Sequence, residues 1–321
     1  MPDARALWIT GPGTVALRGE AVVRTSGAVL VETLWSGISR GTEALVLRGG
    51  VPASEHARMR APLQAGDFPW PVKYGYAAVG RVIEGPAELA GKTVFVLHPH
   101  QDVFAAPAGM AIPVPEGVPP ERAVLAANME TALNIAWDGG AAPGDRIAVV
   151  GGGTVGALVA WLCARLPGAE VTLVDIDPSR APLASALGCG FSLPAAAPQD
   201  CDLVVHASAS AAGLATAIAA AGEEATVVEA SWYGDRTVPL ALGGAFHAGR
   251  LRLVSSQVGR VPPARRARWT TRRRLETALG LLADPALDAL LTGETGFGDL
   301  PGAYAAILDH PGTLCHRVGY R

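Results

Sequence analysis

The chain has few cysteines and few charged residues. Its four cysteines in 321 residues are scattered, and none is part of a C-x-x-C pair (Cys163, Cys189, Cys201, Cys315). A structural zinc loop needs closely spaced cysteines, so none is expected. The thiols show no pairing pattern and residues 1–13 lack an apolar signal segment, so we expect a reducing, cytoplasmic setting.

The charge content limits the class of protein. Charged residues make up 17% of the chain and the net charge is −3. A disordered chain would have a higher net charge and fewer hydrophobic residues, and a nucleic-acid binder would have a basic excess. We therefore expect a folded protein with no nucleic-acid partner.

Hydrophobic residues and glycine are abundant. Half of the residues are hydrophobic, and there are 39 glycines and 25 prolines. The uncharged run at 147–164 is long enough to raise the question of a membrane span. The length suggests two domains and a large buried core.

The secondary-structure pattern changes along the sequence. Short β-branched and apolar runs, interrupted by glycine and proline, predict a β-rich first part up to about residue 120. Helical spacing then predicts a helix that begins near Glu121 and ends at the glycine pair 139–140. From Asp145, short apolar strands alternate with helices at 154–166, 179–187 and 211–221. This alternation is typical of a doubly wound parallel sheet.

A glycine motif lies between the first of these strands and its helix. The strand RIAVV is followed by a G-x-G-x-x-G pattern (Gly151, Gly153, Thr154, Val155, Gly156). Such a turn lets a pyrophosphate approach the start of the helix. The next strand ends at Asp175, where a carboxylate accepts ribose hydroxyls and favours NAD over NADP, although nearby Arg180 leaves NADP open. The run 147–164 is therefore interpreted as a strand, a phosphate turn and a helix, and no membrane association is expected.

Four further segments carry a resemblance to a known family. They are SGISRGTE (36–43), YGYAAVG (74–80), ANMETAL (127–133) and LLTGETGFGDLPGAYAAI (290–307). With the glycine motif, they resemble the medium-chain dehydrogenase/reductase superfamily, which includes the zinc-type alcohol dehydrogenases. The resemblance implies an α/β fold, with a Rossmann doubly wound parallel sheet plus a β-rich GroES-like catalytic domain. It places the catalytic domain at residues 1–123 and 262–321 and the Rossmann domain at 124–261, and it favours a homodimer or homotetramer.

The positions of the family's zinc ligands carry other residues. The first ligand position falls on Ser39 or Arg40, the second on Tyr76 and the third on Ala127. Catalytic zinc needs three donors, usually from His, Cys or carboxylate side chains. We therefore expect no metal site and a zinc-independent branch of the family.

Four residues are candidates for catalysis. The resemblance puts Tyr76 where a hydroxyl could protonate a developing alkoxide, and Arg40 could supply a stabilising charge. Thr42 matches the family's relay hydroxyl, and His100 could shuttle a proton. Each has a structural alternative: a core aromatic for Tyr76, an ion pair with Glu43 or a pyrophosphate contact for Arg40, a helix cap for Thr42 and a loop histidine for His100.

The resemblance also implies further cofactor contacts. They follow strands of the Rossmann domain or lie on the helix before it (Thr131, Ser208, Ser231, Ser256). Separately, seven arginines and no acid occur between residues 260 and 274. This segment is either a solvated surface or a site for an anionic substrate or partner.

The combined prediction is an NAD(H)-dependent enzyme acting on a small molecule. The reaction implied by the resemblance interconverts a secondary alcohol and a ketone by hydride transfer. Reduction of an activated C=C bond, as in zinc-free quinone and enoyl reductases, is an alternative. A nucleotide-binding protein without catalytic activity is a second alternative.

Overall fold

The computed structural model describes residues 3–320 and divides into two compact units. Unit 1 comprises the chain up to Ala127 together with the chain from Leu279 onward, and unit 2 comprises Asn128–Ala278. The arginine-rich segment 260–274 lies in unit 2 in this division. The domain boundaries expected from the sequence, after residues 123 and 261, stay predictions.

The described residues form seventeen strands and eight α-helices. The strands are β1 (Asp3–Gly11), β2 (Thr14–Ala21), β3 (Ala28–Ser39), β4 (Ala65–Gly66), β5 (Val72–Lys73), β6 (Ala78–Glu84), β7 (Thr93–Val96), β8 (Val103–Pro107), β9 (Ile112–Pro113), β10 (Arg146–Val150), β11 (Glu170–Val174), β12 (Gly190–Ser192), β13 (Cys201–His206), β14 (Ala221–Glu229), β15 (Arg252–Ser255), β16 (Leu291–Gly296) and β17 (Cys315–Gly319). The helices are α1 (Arg40–Leu47), α2 (Pro120–Ala123), α3 (Ala126–Gly139), α4 (Thr154–Cys163), α5 (Ala181–Leu187), α6 (Ala211–Ala220), α7 (Thr271–Leu281) and α8 (Leu300–Asp309).

Unit 1 contains two sheets. Four antiparallel strands are ordered β2-β1-β5-β4, and a larger sheet is ordered β16-β17-β3-β6-β7-β9, with β8 also paired to β3. Alternate β-branched residues of the larger sheet face one core, which includes Val31, Val82 and Val94. Strand β3 is central because it pairs with β6, β8 and β17. It therefore joins the first and last parts of the sequence.

Unit 2 is built on one parallel sheet. Its six strands are ordered β12-β11-β10-β13-β14-β15, and every neighbouring pair is parallel. This order is that of the dinucleotide-binding Rossmann sheet. The strands are apolar because both faces of such a sheet are covered, and Val150, Val204 and Val227 are at most 3% exposed.

The structure corrects one predicted helix. The helix expected from Glu121 to the glycine pair is two helices, α2 and α3, separated at Val124–Leu125. The guanidinium of Arg122 is buried, its Nε lies 2.7 Å from Oδ1 of Asp288, and it also donates to the carbonyl of Leu282. These contacts within unit 1 hold α2 independently of α3. Helical periodicity in the sequence does not indicate such contacts.

The run 147–164 contains β10 and α4, as expected, with the glycine turn between them. Within residues 3–320, no helix has both the length and the apolar character that crossing a membrane requires. Helix α4 has ten residues.

Candidate functional site

The glycine turn of unit 2 has the geometry of a dinucleotide cradle. Gly151 has φ +114°, and a Cβ on Gly156 would clash with the Gly151 carbonyl oxygen. A Cβ on Gly153 would meet nothing within 4 Å, so the space before α4 is open. Thr154 and Val155 form the first turn of α4, whose free N–H groups favour an anion. These features fit a dinucleotide phosphate group.

Asp175 is held against this turn at the end of β11. Its Oδ2 accepts the N–H of Gly152 at 2.6 Å, and its Oδ1 accepts the N–H of Asp177 at 2.8 Å. Each carboxylate oxygen can accept a second hydrogen bond, so ribose hydroxyls can still bind. The Nε of Arg180 lies 3.8 Å from Oδ2 of Asp177, and a Cβ on Gly152 would lie 3.4 Å from Cγ of Arg180. Arg180 therefore lies beside the same turn.

A polar cluster lies at the carboxyl ends of β13 and β14, where only Ser208 and Ser231 were predicted as site residues. His206 is fully buried, with Nδ1 2.8 Å from Oε2 of Glu229 and Nε2 2.6 Å from Oγ of Ser208. Ser231 donates its backbone N–H to Oε1 of Glu229 at 2.8 Å, and the Tyr233 hydroxyl donates to Oε2 at 3.0 Å. We call these residues the Glu229 group (Glu229, His206, Ser208, Ser231, Tyr233).

The charge state of the Glu229 group is set by its hydrogen bonds. Burial acts to raise the pKa of Glu229, but the hydrogen bond and charge of His206 and the N–H of Ser231 hold it below its usual value. The hydroxyl of Ser208 also contacts that of Ser210 at 2.9 Å, and Ser210 caps α6 by accepting the N–H of Gly213. Two predicted cofactor contacts, Ser208 and Ser231, thus belong to one hydrogen-bonded group.

The other two predicted cofactor contacts have different surroundings. The Ser256 hydroxyl donates to Oδ2 of Asp138 at 2.7 Å, and Thr131 lies on α3. Burial raises the pKa of Asp138. The hydrogen of the Ser256 hydroxyl is therefore already donated to a protein carboxylate.

One of the seven clustered arginines is structural. Arg274 is 2% exposed, donates from Nε to Oε1 of Glu130 at 3.0 Å and also bonds to the side chain of Asn134. The other six are exposed. Two of them cover indole rings, Arg265 over Trp137 and Arg273 over Trp269. The arginines of this segment thus have two roles, one in the core and one at the surface.

Unit 1 contains a second buried acid–base cluster. The carboxylate of Glu43 in α1 is fully buried, and its Oε2 lies 3.0 Å from Nε2 of His100. It also accepts the Tyr304 hydroxyl of α8 at 2.6 Å, and its Oε1 accepts the N–H of Ser39 at 2.7 Å. Burial, and then the neighbouring Glu43, raise the pKa of Tyr304 well above its usual 10, so this phenol remains a donor.

This cluster continues from His100 toward the end of the sequence. Nδ1 of His100 lies 2.7 Å from the Ser36 hydroxyl, and that hydroxyl lies 2.9 Å from the hydroxyl of Tyr320. We call this set the Glu43 group (Glu43, His100, Ser36, Tyr304, Tyr320). A buried charge or polar group is stable only when its hydrogen bonds are satisfied, as they are here.

Tyr76 lies beside the Glu43 group. Its hydroxyl forms hydrogen bonds with the side chains of Ser39 and Thr42, and it interacts electrostatically with Glu43. Burial raises its pKa to about 12, although the two hydrogen bonds act in the opposite direction. Tyr76 is therefore a neutral phenol near pH 7, able to donate a proton but slow to ionise by itself.

Arg40, the fourth catalytic candidate, and His98 have other contacts. The Nε of Arg40 donates to the Leu308 carbonyl at 3.0 Å, close to the end of α8, where a cation is favoured. His98 stacks on Phe104 at 3.8 Å, and burial lowers its pKa to about 3. His98 and His100 thus have different neighbours.

One signal for the missed residues was available in the sequence. Glu43 shares a helix face with Val46 and Leu47, and both are buried. An acid on the apolar face of a short helix indicates a buried polar group. Ser36, Tyr304 and Tyr320 gave no comparable signal, because only the fold brings them together.

Among residues 3–320, no three His, Cys, Asp or Glu side chains are arranged to hold a metal ion. The side chains at the family's ligand positions offer hydroxyl, guanidinium and methyl groups instead. Free thiols are present at all four cysteines, and burial raises the pKa of Cys315 to about 12.

The two units together define a class of fold. A parallel sheet of the Rossmann order follows a β-rich unit, and the chain then returns to that unit, as in the zinc-type medium-chain alcohol dehydrogenases. The chain has this fold, and the resemblance inferred from the sequence is confirmed at that level.

Solved structures of several dehydrogenases have a similar fold. L-idonate 5-dehydrogenase from Escherichia coli K-12 is similar with a TM-score of 0.82 and 16% identity, covering 99% of both chains. A short chain alcohol dehydrogenase (rspB) from E. coli CFT073, complexed with NADH, has a TM-score of 0.79 and 16% identity, covering 99% of both chains. 2R,3R-butanediol dehydrogenase from Bacillus subtilis has a TM-score of 0.79 and 15% identity, covering 99% of this chain and 100% of that one. No family model and no curated protein sequence matches the chain.

Proposed function

We propose that this protein is a zinc-independent, NAD(H)-dependent oxidoreductase that interconverts a secondary alcohol and a ketone. The observation that carries the proposal is the Tyr76 hydroxyl, which stands at a position where the zinc-type family has a metal ligand and which bonds to the side chains of Ser39 and Thr42. The glycine cradle and Asp175 of unit 2 support dinucleotide binding. The likeness of fold to dehydrogenases supports the same reaction class.

In this proposal, unit 1 handles the proton of the reaction. A bound reduced nicotinamide supplies the hydride. Negative charge then develops on the carbonyl oxygen, and the neutral phenol of Tyr76 donates a hydrogen bond and then its proton to that oxygen. The hydroxyls of Ser39 and Thr42 stabilise the phenolate that remains. In the oxidative direction the same phenolate accepts the proton of the alcohol.

In unit 2, the carboxylate of Asp175 is proposed to select NAD. It accepts ribose hydroxyls, and its negative charge would repel a 2′-phosphate. Backbone N–H groups at the turn hold both of its oxygens in place. We further propose a small-molecule substrate, a cytoplasmic location and assembly as a homodimer or homotetramer. The four free thiols support the location.

The test is a panel of secondary alcohols, ketones and conjugated carbonyls, followed by nicotinamide absorbance with NADH and with NADPH. We expect turnover of an alcohol–ketone pair, a preference for NADH, no stoichiometric zinc in the purified protein and activity that survives a chelator. Tyr76→Phe should lower kcat about 100-fold, because a general acid contributes at least that factor.

The matched control is Tyr74→Phe. Tyr74 lies edge-on to Tyr76 at a centroid distance of 6.0 Å, and its substitution removes a similar hydroxyl without removing the proposed acid. Turnover of conjugated C=C bonds only, or equal loss in both variants, would contradict the proposal. A preference for NADPH would contradict the role given to Asp175.

A further inference from the structure

The Glu229 group contains a serine, a histidine and a carboxylate joined in a line. Oγ of Ser208 lies 2.6 Å from Nε2 of His206, and Nδ1 of His206 lies 2.8 Å from Oε2 of Glu229. An ionised carboxylate can only accept hydrogen bonds, so neutral His206 carries its hydrogen on Nδ1 and accepts the Ser208 hydroxyl at Nε2. A serine nucleophile, its general base and an orienting carboxylate are joined in the same order in serine hydrolases.

The carboxylate and the imidazole are both held in place. Oε1 of Glu229 accepts the backbone N–H of Ser231, and Oε2 also accepts the hydroxyl of Tyr233, whose ring stacks on His206. Burial acts to raise the pKa of Glu229, but the hydrogen bond and charge of His206 hold it below its usual value, so Glu229 is ionised near neutral pH. A negative charge here stabilises the imidazolium that forms when His206 takes up a proton.

The serine is exposed in a turn between a strand and a helix. Strand β13 ends at His206 and α6 begins at Ala211, so Ser208 lies in the connection 207–210. Ser208 is exposed, whereas His206 behind it is fully buried. The next residue, Ala209, has φ +51°, which is strained for a residue other than glycine. A ligand can therefore approach Ser208 from solvent while the base stays covered.

Gly213 makes the contact between Ser208 and His206 possible. A Cβ at this position would clash with the Ser208 hydroxyl and would lie 2.8 Å from Nε2 of His206. Gly213 is the third residue of α6, where alanine would be more favourable for the helix. Every other residue type would place a carbon atom where the serine hydroxyl meets its base. The glycine therefore has a steric role in the Glu229 group.

The start of α6 supplies hydrogen-bond donors next to this serine. The first N–H groups of a helix have no partner within the helix. The N–H of Gly213 is bonded to Oγ of Ser210 at 3.0 Å, whereas Ala211 and Ala212 are exposed at the helix end. Backbone N–H groups of this kind stabilise the oxyanion that forms when a nucleophile attacks a carbonyl group.

We propose that Ser208, His206 and Glu229 form a hydrolytic triad that cleaves small carboxylic esters. Ser208 is the nucleophile, His206 is the general base, and Glu229 positions His206. This activity is independent of the proposed oxidoreductase function and needs no nicotinamide. Because Ser208 is also a predicted cofactor contact, ester hydrolysis is expected of the protein without bound nucleotide.

The reaction needs only water besides the ester. Oγ of Ser208 bonds to the carbonyl carbon as its proton moves to Nε2 of His206. The bond from that carbon to the alcohol oxygen then breaks, and His206 gives the proton to the leaving alcohol, so that an acyl-Ser208 remains. Water attacks the acyl carbon and gives a proton to His206, which returns it to Oγ of Ser208 as the carboxylic acid leaves. Glu229 stays ionised throughout.

The first experiment measures hydrolysis of 4-nitrophenyl acetate by the full-length protein freed of nucleotide. We expect turnover above the uncatalysed rate and, in quenched samples, an acetyl group on Ser208 in peptide mass spectrometry. Ser208→Ala should lower kcat/KM at least about 100-fold. The control is Thr216→Val, which removes a hydroxyl of α6 that is bonded to the Ala212 carbonyl and should leave the rate unchanged. An unchanged rate in Ser208→Ala, or acetylation of other residues only, overturns the triad.

The second experiment tests the geometry with every group of the triad retained. The methyl group of Gly213→Ala should displace the Ser208 hydroxyl from His206 and lower kcat/KM at least about 100-fold. The matched control is Gly302→Ala, at the third residue of the ten-residue helix α8, where a Cβ would meet nothing within 4 Å. Thermal unfolding followed by circular dichroism verifies that both variants fold. Wild-type turnover in Gly213→Ala, or an equal loss in Gly302→Ala, overturns the triad.

The third experiment tests the positioning role of Glu229. Glu229→Gln keeps the shape of the side chain but removes its charge, so kcat for the ester should fall about tenfold or more with KM unchanged. An unchanged kcat would overturn the role given to Glu229. All three experiments are made without nicotinamide, so a protein without dehydrogenase activity would refute the proposed function while the triad is still decided by ester hydrolysis.

Discussion

Each unit contains a Glu–His–Ser series, and the two differ in burial and in what lies at their ends. In unit 1 the imidazole of His100 contacts Glu43 through Nε2 and Ser36 through Nδ1. In unit 2 the ring nitrogens are used in the opposite sense, because His206 contacts Glu229 through Nδ1. Glu43 is fully buried, whereas the side chain of Glu229 is 17% exposed.

The two series end on different partners. The unit 1 series runs on from Ser36 to a second hydroxyl, that of Tyr320. The unit 2 series ends at Ser208 and the N-terminal cap of α6, where the hydroxyl is held by Ser210. The same three residue types therefore lead to a second buried hydroxyl in one unit and to a helix cap in the other.

The largest expected difference between the two groups is in stability. Glu43→Ala leaves the buried His100 and Tyr304 without their acceptor, and we expect it to lower the free energy of unfolding by about 3 kcal/mol. Glu229→Ala should cost about 1 kcal/mol, because part of that group reaches water. Urea unfolding followed by circular dichroism measures both.

Glu43→Gln separates the loss of charge from the loss of contacts in the same assay. It keeps the shape of the side chain and should cost less than Glu43→Ala. If Glu229→Ala costs as much as Glu43→Ala, burial does not distinguish the two groups and the comparison fails.

A smaller effect is expected on cofactor binding. Ser208→Ala should weaken NADH binding about fivefold, the value of one lost hydrogen bond near 1 kcal/mol. Ser36→Ala removes the corresponding hydroxyl from the Glu43 group and should leave the NADH dissociation constant unchanged. Fluorescence titration of NADH checks both, and equal weakening by the two variants would show that the groups are not specialised.

The smallest expected effect is a pH dependence from Glu229. Its folded-state pKa lies below the ordinary value of 4.5, so ionised Glu229 stabilises the protein above about pH 4.5. That contribution is lost as the pH falls through the folded-state pKa. The difference in unfolding free energy between wild type and Glu229→Gln should therefore be full above pH 4.5 and shrink below it. A difference that grows on acidification would refute the stated sign.

Much of the fold could be predicted because its physical basis is local. The run RIAVV coincides with β10, and the glycine turn follows it, since a strand covered on both faces must be apolar throughout. The break between α2 and α3 could not be predicted, because it accompanies contacts of Arg122 with Asp288, a residue 166 positions away. Periodicity reports only which face of a helix is buried.

The candidate site was less predictable than the fold. The sequence singled out Tyr76, Thr42 and His100. The structure places Tyr76 in contact with Thr42. His100 contacts Glu43, the residue that follows Thr42. Glu43 entered only as a possible ion-pair partner of Arg40, although its place on the apolar face of α1 indicated burial. Tyr304 donates to Glu43 from 261 positions away, and no local pattern indicates such a contact.

The central position of β3 sets an order for assembly during synthesis. One edge of β3 pairs with β17, and the Glu43 group takes Tyr304 and Tyr320 from the last part of the sequence. Unit 2 is continuous in sequence and is complete before those residues are made. On the ribosome, unit 2 can therefore fold first, while the edge of β3 that pairs with β17 is still unpaired. The acid–base centre of unit 1 forms only when the final strand is added.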